Sequence, residues 1–299
     1  MIANRLNLKV QEKVSELRDV AKNVELRTKF YKTLFRGKGL DFDGYRVYSP
    51  DDDASMIDWK ASVKANEILV RKYIEERDLN ILFVVDVGDN MVFGSGEKLK
   101  CEYTAEFVLA LGRLMMDSRD RVGVLLFSDE VKSFIYPSSG ENHFADLIEV
   151  LSNPSNYGGV TNFDVAFDHL IGVLNNQNIP VVLFASDFLN LRERHEYKLG
   201  LVSGMFENMA FMIKDPLDRS LPNVSQEIAV EDPRTGEQMI INPKIARTSY
   251  EYYAMKQEKT VKGYLEDAGI DHVLFVTDSG FTVPLVEFLR ARVKMKERR

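Results

Sequence analysis

From residue 80 onward, short apolar runs alternate with stretches of helical periodicity, and this alternation constrains the fold more than any other feature. The runs cover residues 81–85, 122–127, 181–185, 210–213 and 273–276. Each is close to continuously apolar, so strands built from them are buried on both faces and need helices on each side. Three helices are marked by Leu99/Tyr103/Phe107/Leu111/Met115, by Phe144/Leu147/Ile148/Leu151 and by Phe163/Phe167/Leu170/Leu174. Spacings of three and four residues turn one apolar face of each helix onto the sheet. Residues 131–136 form a further strand, separated from its predecessor only by Ser128-Asp129-Glu130. That loop is too short for a parallel crossover, so the strand is expected as an antiparallel edge. The fold class is therefore α/β: a doubly wound, mostly parallel sheet with one antiparallel edge strand, an N-terminal arm and a β-hairpin insertion.

The arm occupies residues 1–78 and the main domain residues 79–299. The arm carries Leu8, Val14, Leu17, Ala21 and Val24 near helical spacing, then Gly37-Lys38-Gly39 and the extended stretch Gly44-Tyr45-Arg46-Val47-Tyr48. Pro50 and Asp51-Asp52-Asp53 interrupt regular structure there. With little core of its own, the arm is expected to pack on the main domain, anchored by Trp59, Tyr45 and Tyr48. The insertion, residues 215–250, contains Leu221-Pro222 and a hairpin of 226–230 and 238–241 about Asp232-Pro233-Arg234-Thr235-Gly236. A helix bearing Tyr250, Tyr253, Val261 and Leu265 follows. Residues 288–299 read as a basic, solvated helix end.

Composition narrows the function. The 299 residues are 45% hydrophobic, enough for a full core. A net charge of −7, with both signs spread along the chain, argues against a nucleic-acid binder that relies on a broad basic face. The single cysteine, Cys101, excludes an intrachain disulfide and a cysteine zinc cage. No apolar run approaches the roughly 20 residues needed to span a bilayer, and Asn4, Arg5 and Lys9 do not fit a signal peptide. The expected location is the cytoplasm.

Two strand-like runs end in carboxylates, Asp86 and Asp187, and the loop Gly158-Gly159-Val160-Thr161-Asn162 supplies a hydroxyl between them. In open α/β sheets ligands bind at the carboxyl ends of the strands. Two acids and a threonine there make an oxygen-lined site for a hard divalent cation such as Mg²⁺. Enzyme signatures are missing. A phosphotransferase of the haloacid dehalogenase type needs a second acid two residues after the first, and Gly88 stands there. There is no phosphate loop and no nucleophile elbow. His195-Glu196 lacks the second histidine of a helical zinc motif, and His143, His169, His195 and His272 lie far apart. An enzyme is not expected.

Asp86, Gly88, Asn90, Thr161 and Asp187 resemble the metal-ion-dependent adhesion site of von Willebrand factor A domains, whose pattern is Asp-x-Ser-x-Ser with a later threonine and aspartate. The chain is further similar to the prokaryotic family called domain of unknown function 58, a von Willebrand A subgroup. That resemblance covers residues 36–292. It rests on Gly37-Lys38-Gly39, Tyr45-Arg46-Val47-Tyr48, Asp51-Asp52, Ile57-Asp58-Trp59-Lys60, Glu76-Arg77, Asp120-Arg121-Val122-Gly123 with Phe127, Ser186-Asp187-Phe188, Asp215-Pro216, Leu221-Pro222 and Asp232-Pro233-Arg234-Thr235-Gly236. It implies a von Willebrand A, Rossmann-like fold. It also implies a non-enzymatic protein-binding module, an adaptor for a MoxR-type AAA+ ATPase in chaperone-like assembly or maturation of other proteins. Metal ligands would be Asp86, Asn90, Thr161 and Asp187, holding Mg²⁺ or Mn²⁺. The partner would meet the same rim through Gly88, Asp89, Gly159 and Asn162. The sequence departs from the pattern where both serines are replaced, by Gly88 and Asn90. Two other readings stay open: a metal-independent scaffold using the insertion and the arm, and a hydrolase built on the acid pair.

Overall fold

The computed structural model describes residues 5–21, 40–49, 52, 56–75, 79–172, 174, 177–231 and 238–296. Gly37-Lys38-Gly39, Asp51, Asp53, Glu76-Arg77 and the turn at 232–236 lie outside the described residues.

Six strands form the central sheet: β3 (Asn80–Asp86), β4 (Arg121–Phe127), β5 (Val131–Ser138), β6 (Val181–Ser186), β7 (Glu207–Lys214) and β10 (Asp271–Val276). Their order is β10-β7-β6-β3-β4-β5, parallel throughout except for β5, which pairs antiparallel with β4 at the edge. The expected mixed sheet and its antiparallel edge are thus as the loop lengths required. The chain enters the sheet at β3, proceeds to β4 and β5, then returns to the other side of β3 for β6. Connections leaving β3 and β6 consequently diverge, and the crevice between their carboxyl ends is a topological switch point.

Alternation along β3 divides the core in two. Ile81, Phe83 and Val85 face one layer, built from α3 (Lys100–Met116), α4 (Glu141–Ser152) and α8 (Thr282–Lys296). Leu82 and Val84 face the other, built from α5 (Phe163–Gly172), α6 (Glu196–Met205) and α7 (Pro243–Asp267). Both faces of the parallel strands are covered, as their continuous apolar composition demands. The sequence pattern missed α6, which buries Leu199 and Val202 in the core and packs the half-buried Met205 against it. It also placed the start of α7 too late. The Asn242 side chain accepts the Lys244 N–H and Pro243 takes the first helical position, so the helix begins directly after the hairpin of β8 (Ile228–Glu231) and β9 (Gln238–Ile241).

The arm has two parts. Helix α1 (Val10–Ala21) buries Val10, Val14 and Leu17 in the α3 layer. It is tied there by the Lys9 N–H to Glu106 (2.6 Å) and by Arg18 to Asp117 (2.6 Å). The other part pairs β1 (Leu40–Val47) with β2 (Leu69–Glu75) and carries the short helix α2 (Trp59–Ala65), capped by Asp58. The expected aromatic anchors do not behave as one. Trp59 is 66% exposed, on the outer side of α2, whose buried side chain is Ser62; Tyr45 on β1 is 46% exposed, and Tyr48 is half-buried.

Phe107 on α3 is fully buried where the helix crosses the sheet, with ring centroids 4.6 Å from Phe211, 5.0 Å from Phe275 and 5.4 Å from Phe281. Phe107→Ala is expected to destabilise the fold by about 3–5 kcal/mol, read from denaturant midpoints at unchanged slope.

Candidate functional site

The last residue of β3 is Asp86, and its carboxylate sits at the switch point. Its position at the sheet rim was expected; its complete burial was not. Burying a carboxylate is costly unless donors replace its water. Four donors do so. Oδ1 accepts the Gly88 N–H (2.9 Å) and the Thr161 hydroxyl (2.7 Å), and Oδ2 accepts the Ser186 hydroxyl (2.7 Å) and the Asn90 amide (3.3 Å). Burial pushes the Asp86 carboxyl up to about 6, with the nearby Asp187 charge adding to the rise and these donors opposing it.

The two loops of the rim are stitched to each other. The Asp89 N–H donates to the Gly159 carbonyl (2.8 Å), the Gly159 N–H returns to Asp89 Oδ1 (3.0 Å), and the Gly158 N–H reaches the Val87 carbonyl (2.8 Å). Asn162 caps α5 through the Asp164 N–H and donates its own N–H to the Ser128 carbonyl. Ser186 works in both directions, since its hydroxyl also accepts the Phe188 N–H (2.9 Å). That bond helps hold Phe188 at φ +54°, an uncommon backbone region for a bulky residue, with its ring stacked 5.5 Å from Phe163.

Glycine is required at two of the proposed contact positions. A Cβ at Gly88 would stand 2.1 Å from the Thr161 hydroxyl oxygen, and one at Gly159, whose φ is +86°, would stand 2.4 Å from Asp129 Oδ1. Gly88 is therefore what allows Thr161 to reach Asp86.

Asp187, also fully buried, faces away from this cluster. Its Oδ1 accepts the Leu189 N–H and its Oδ2 lies 2.7 Å from the ammonium of Lys100, which is 1% exposed. The same ammonium lies 2.9 Å from Asp218. Burial opposes ionisation of Asp187, but Lys100 and Lys214 hold its carboxyl below the usual range. Lys100 is likewise penalised by burial yet held high by the two carboxylates. Sequence reasoning passed over Lys100, Lys214, Asp218 and the ligand role of Ser186. One signal was available: Lys100 precedes Phe107 and Leu111 by seven and eleven residues, on the inward stripe of α3, where a lysine is out of place.

Of the predicted ligands, Asp86, Asn90 and Thr161 come together and Asp187 points at Lys100. These residues as placed do not fit a divalent ion. Gly88 offers no oxygen, the Thr161 and Asn90 oxygens face each other, and a dication beside Asp187 would confront the Lys100 ammonium. Among the described residues, no group of three or more His, Cys, Asp or Glu is arranged to hold a metal.

Residues 44–261 match the family model described as protein of unknown function DUF58. The chain belongs to that family. Uncharacterized proteins of Mycobacterium tuberculosis and Mycobacterium bovis are each 24% identical to it over 263 residues, covering 87% of this chain and 81% of theirs. Among solved structures, the conserved hypothetical protein BatB from Bacteroides thetaiotaomicron is 11% identical, with TM-score 0.44 over 72% of this chain and 99% of that one. An aerotolerance-related membrane protein from Bacteroides fragilis is 10% identical, also at TM-score 0.44, over 73% and 99%. Among the described residues of this DUF58 chain, no helix is long and apolar enough to cross a membrane.

Gly88→Ser should lose about 1–3 kcal/mol of stability, because the added Cβ overpacks Thr161. The same variant should gain no heat on Mg²⁺ titration by calorimetry. The pH dependence follows from Asp86. Its folded pKa of about 6 lies above the ordinary 3.8, so the folded state holds the proton more tightly. That contribution is fully present below about 3.8 and is lost as pH rises through about 6. The difference in unfolding free energy between wild type and Asp86→Asn should therefore change across that window and flatten above it.

Proposed function

We propose that this chain is a non-enzymatic docking module of von Willebrand A type, working in the cytoplasm as an adaptor for a MoxR-type AAA+ ATPase in assembly or maturation of other proteins. The observation that carries the reading is the make-up of the rim. Val92, Phe93 and Val160 are 46%, 37% and 45% exposed on the two loops that the Asp86 network fixes in place. Exposed apolar side chains on loops held by buried hydrogen bonds form a preorganised surface, which lowers the ordering cost of binding a protein. Asp89, Gly159 and Asn162 then serve docking through loop shape, and Asp86 and Thr161 by holding the loops. The reading needs no ion, in keeping with the poor fit of these residues to one.

A second surface supports the scaffold reading. Met239, Ile240, Ile245, Tyr252 and Tyr253 are between 62% and 79% exposed on the insertion hairpin and α7, and Trp59 and Val63 are exposed on α2. The two readings separate by mutation. Val160→Asp should weaken binding to the purified ATPase at least about tenfold in calorimetry, with Met239→Asp and Trp59→Ala near wild type. If Met239→Asp or Trp59→Ala loses binding while Val160→Asp keeps it, the scaffold reading replaces the rim. Chelator in the buffer should leave the affinity unchanged.

A further inference from the structure

The ribbon of β8 and β9 carries apolar side chains on both of its faces. Successive side chains of a strand point to opposite faces. Met239 therefore shares a face with its cross-strand partner Val230, and Ile240 takes the other face, opposite Ala229. Met239 is 66% exposed and Ile240 71%, so at the middle of the ribbon neither face is covered. A two-stranded ribbon is marginal in water unless something packs on it.

Helix α7 continues from the ribbon at its Asn242 cap and extends the same surface. Its buried stripe is Pro243, Val261 and Leu265. On the opposite side Ile245, Tyr252, Tyr253 and Met255 are exposed, where a surface helix ordinarily carries charge. Lys244, Lys256 and Lys259 are exposed on that same side. The acids of this stretch are already engaged: Glu251 with Arg247 and Ser220, Glu258 with Lys262 and Arg219. From Gln238 to Thr260 the chain has no other acid, so this apolar side is basic in a chain of net charge −7.

We infer that the β8–β9 ribbon and the outer side of α7 bind an anionic lipid surface. The ribbon enters the headgroup layer, and α7 lies along it with Lys244, Lys256 and Lys259 against lipid phosphates. Charge complementarity calls for an anionic partner, and the ribbon decides which kind. A protein surface of ordinary shape covers one face of a projecting ribbon, whereas a headgroup layer surrounds both. Tyr252 and Tyr253, with ring centroids 5.4 Å apart, have the apolar body and polar tip that suit the boundary between headgroups and acyl chains. Among the described residues no helix is long and apolar enough to cross a membrane, so the attachment is to its surface. The inference requires neither the ATPase nor the rim.

The test is flotation of the full chain with vesicles of phosphatidylcholine alone, and of equimolar phosphatidylcholine and phosphatidylglycerol. Binding to the anionic vesicles should be about 100-fold stronger at low salt, a factor of about five for each of the three ammonium groups. Lys244→Gln, Lys256→Gln and Lys259→Gln together should remove that preference, and added sodium chloride should erode it in wild type. Met239→Asp with Ile240→Asp should weaken binding to the anionic vesicles at least about tenfold. All five side chains are exposed, so these variants should melt near wild type. A tryptophan introduced by Met239→Trp in a Trp59→Phe background should shift its emission to the blue on anionic vesicles and be quenched by brominated lipid. No flotation with either vesicle, equal flotation with both, or flotation unchanged by both sets of substitutions overturns the proposal. Capture of the chain by polyglutamate but not by anionic vesicles also overturns it, and gives the surface to an acidic protein. No ATPase is present, so failure here leaves the docking proposal standing, and the reverse also holds.

Discussion

One buried carboxylate organises the carboxyl end of this sheet. Asp86 closes β3 and takes a hydrogen bond from each of four residues: Gly88 and Asn90 in the turn that follows it, Thr161 in the loop before α5, and Ser186 at the end of β6. The carboxylate loses its water and gains four fixed donors, so the geometry of both loops is bound to its charge state. Removing one donor leaves a buried acceptor unpaired, which costs more than the hydrogen bond is worth in isolation. Rigidity at the rim is thus a consequence of burying Asp86.

The neighbouring ion pair changes the electrostatics of that centre. Asp187 contributes to the rise of Asp86, since carboxylates at the ends of the neighbouring strands β3 and β6 repel. Lys100 pairs Asp187 from the first turn of α3, where its ammonium contacts Asp187 and Asp218. A buried pair of this kind is weak evidence for stability, because desolvation consumes most of the attraction. Its effect here is on arrangement: it fixes the start of α3 against the ends of β6 and of the turn after β7.

Much of the fold was legible because the strands are buried on both faces and so appear as continuous apolar runs. The antiparallel edge was legible from a three-residue loop. What escaped were elements decided by local contacts rather than periodicity: α6, with two fully buried residues, and the early start of α7 at an Asn-Pro cap. At the site, Asp86, Thr161 and Asp187 stood out as polar residues at strand ends and in a glycine loop. Lys100 did not, because a lysine at the head of a helix is ordinarily solvated, and its burial depends on two acids far away in sequence. The same applies to Lys214: a charged residue closing an apolar strand looks like a boundary until the turn after it folds back. Trp59 shows the opposite error, a large aromatic read as an anchor that the fold leaves in solvent.

Gly88 and Lys100 make sense together. Glycine at 88 lets the Thr161 hydroxyl approach Asp86, which turns one half of the cluster into a closed hydrogen-bonded unit. Lys100 supplies a cation to the other half and closes it as well. Either feature alone would leave a defective oxygen site, with Asp187 unpaired in one case and Thr161 held away from Asp86 in the other. With both, every carboxylate oxygen at the switch point faces a donor that belongs to the chain. The switch point therefore satisfies its two buried carboxylates with hydroxyl, amide and ammonium groups of the chain itself.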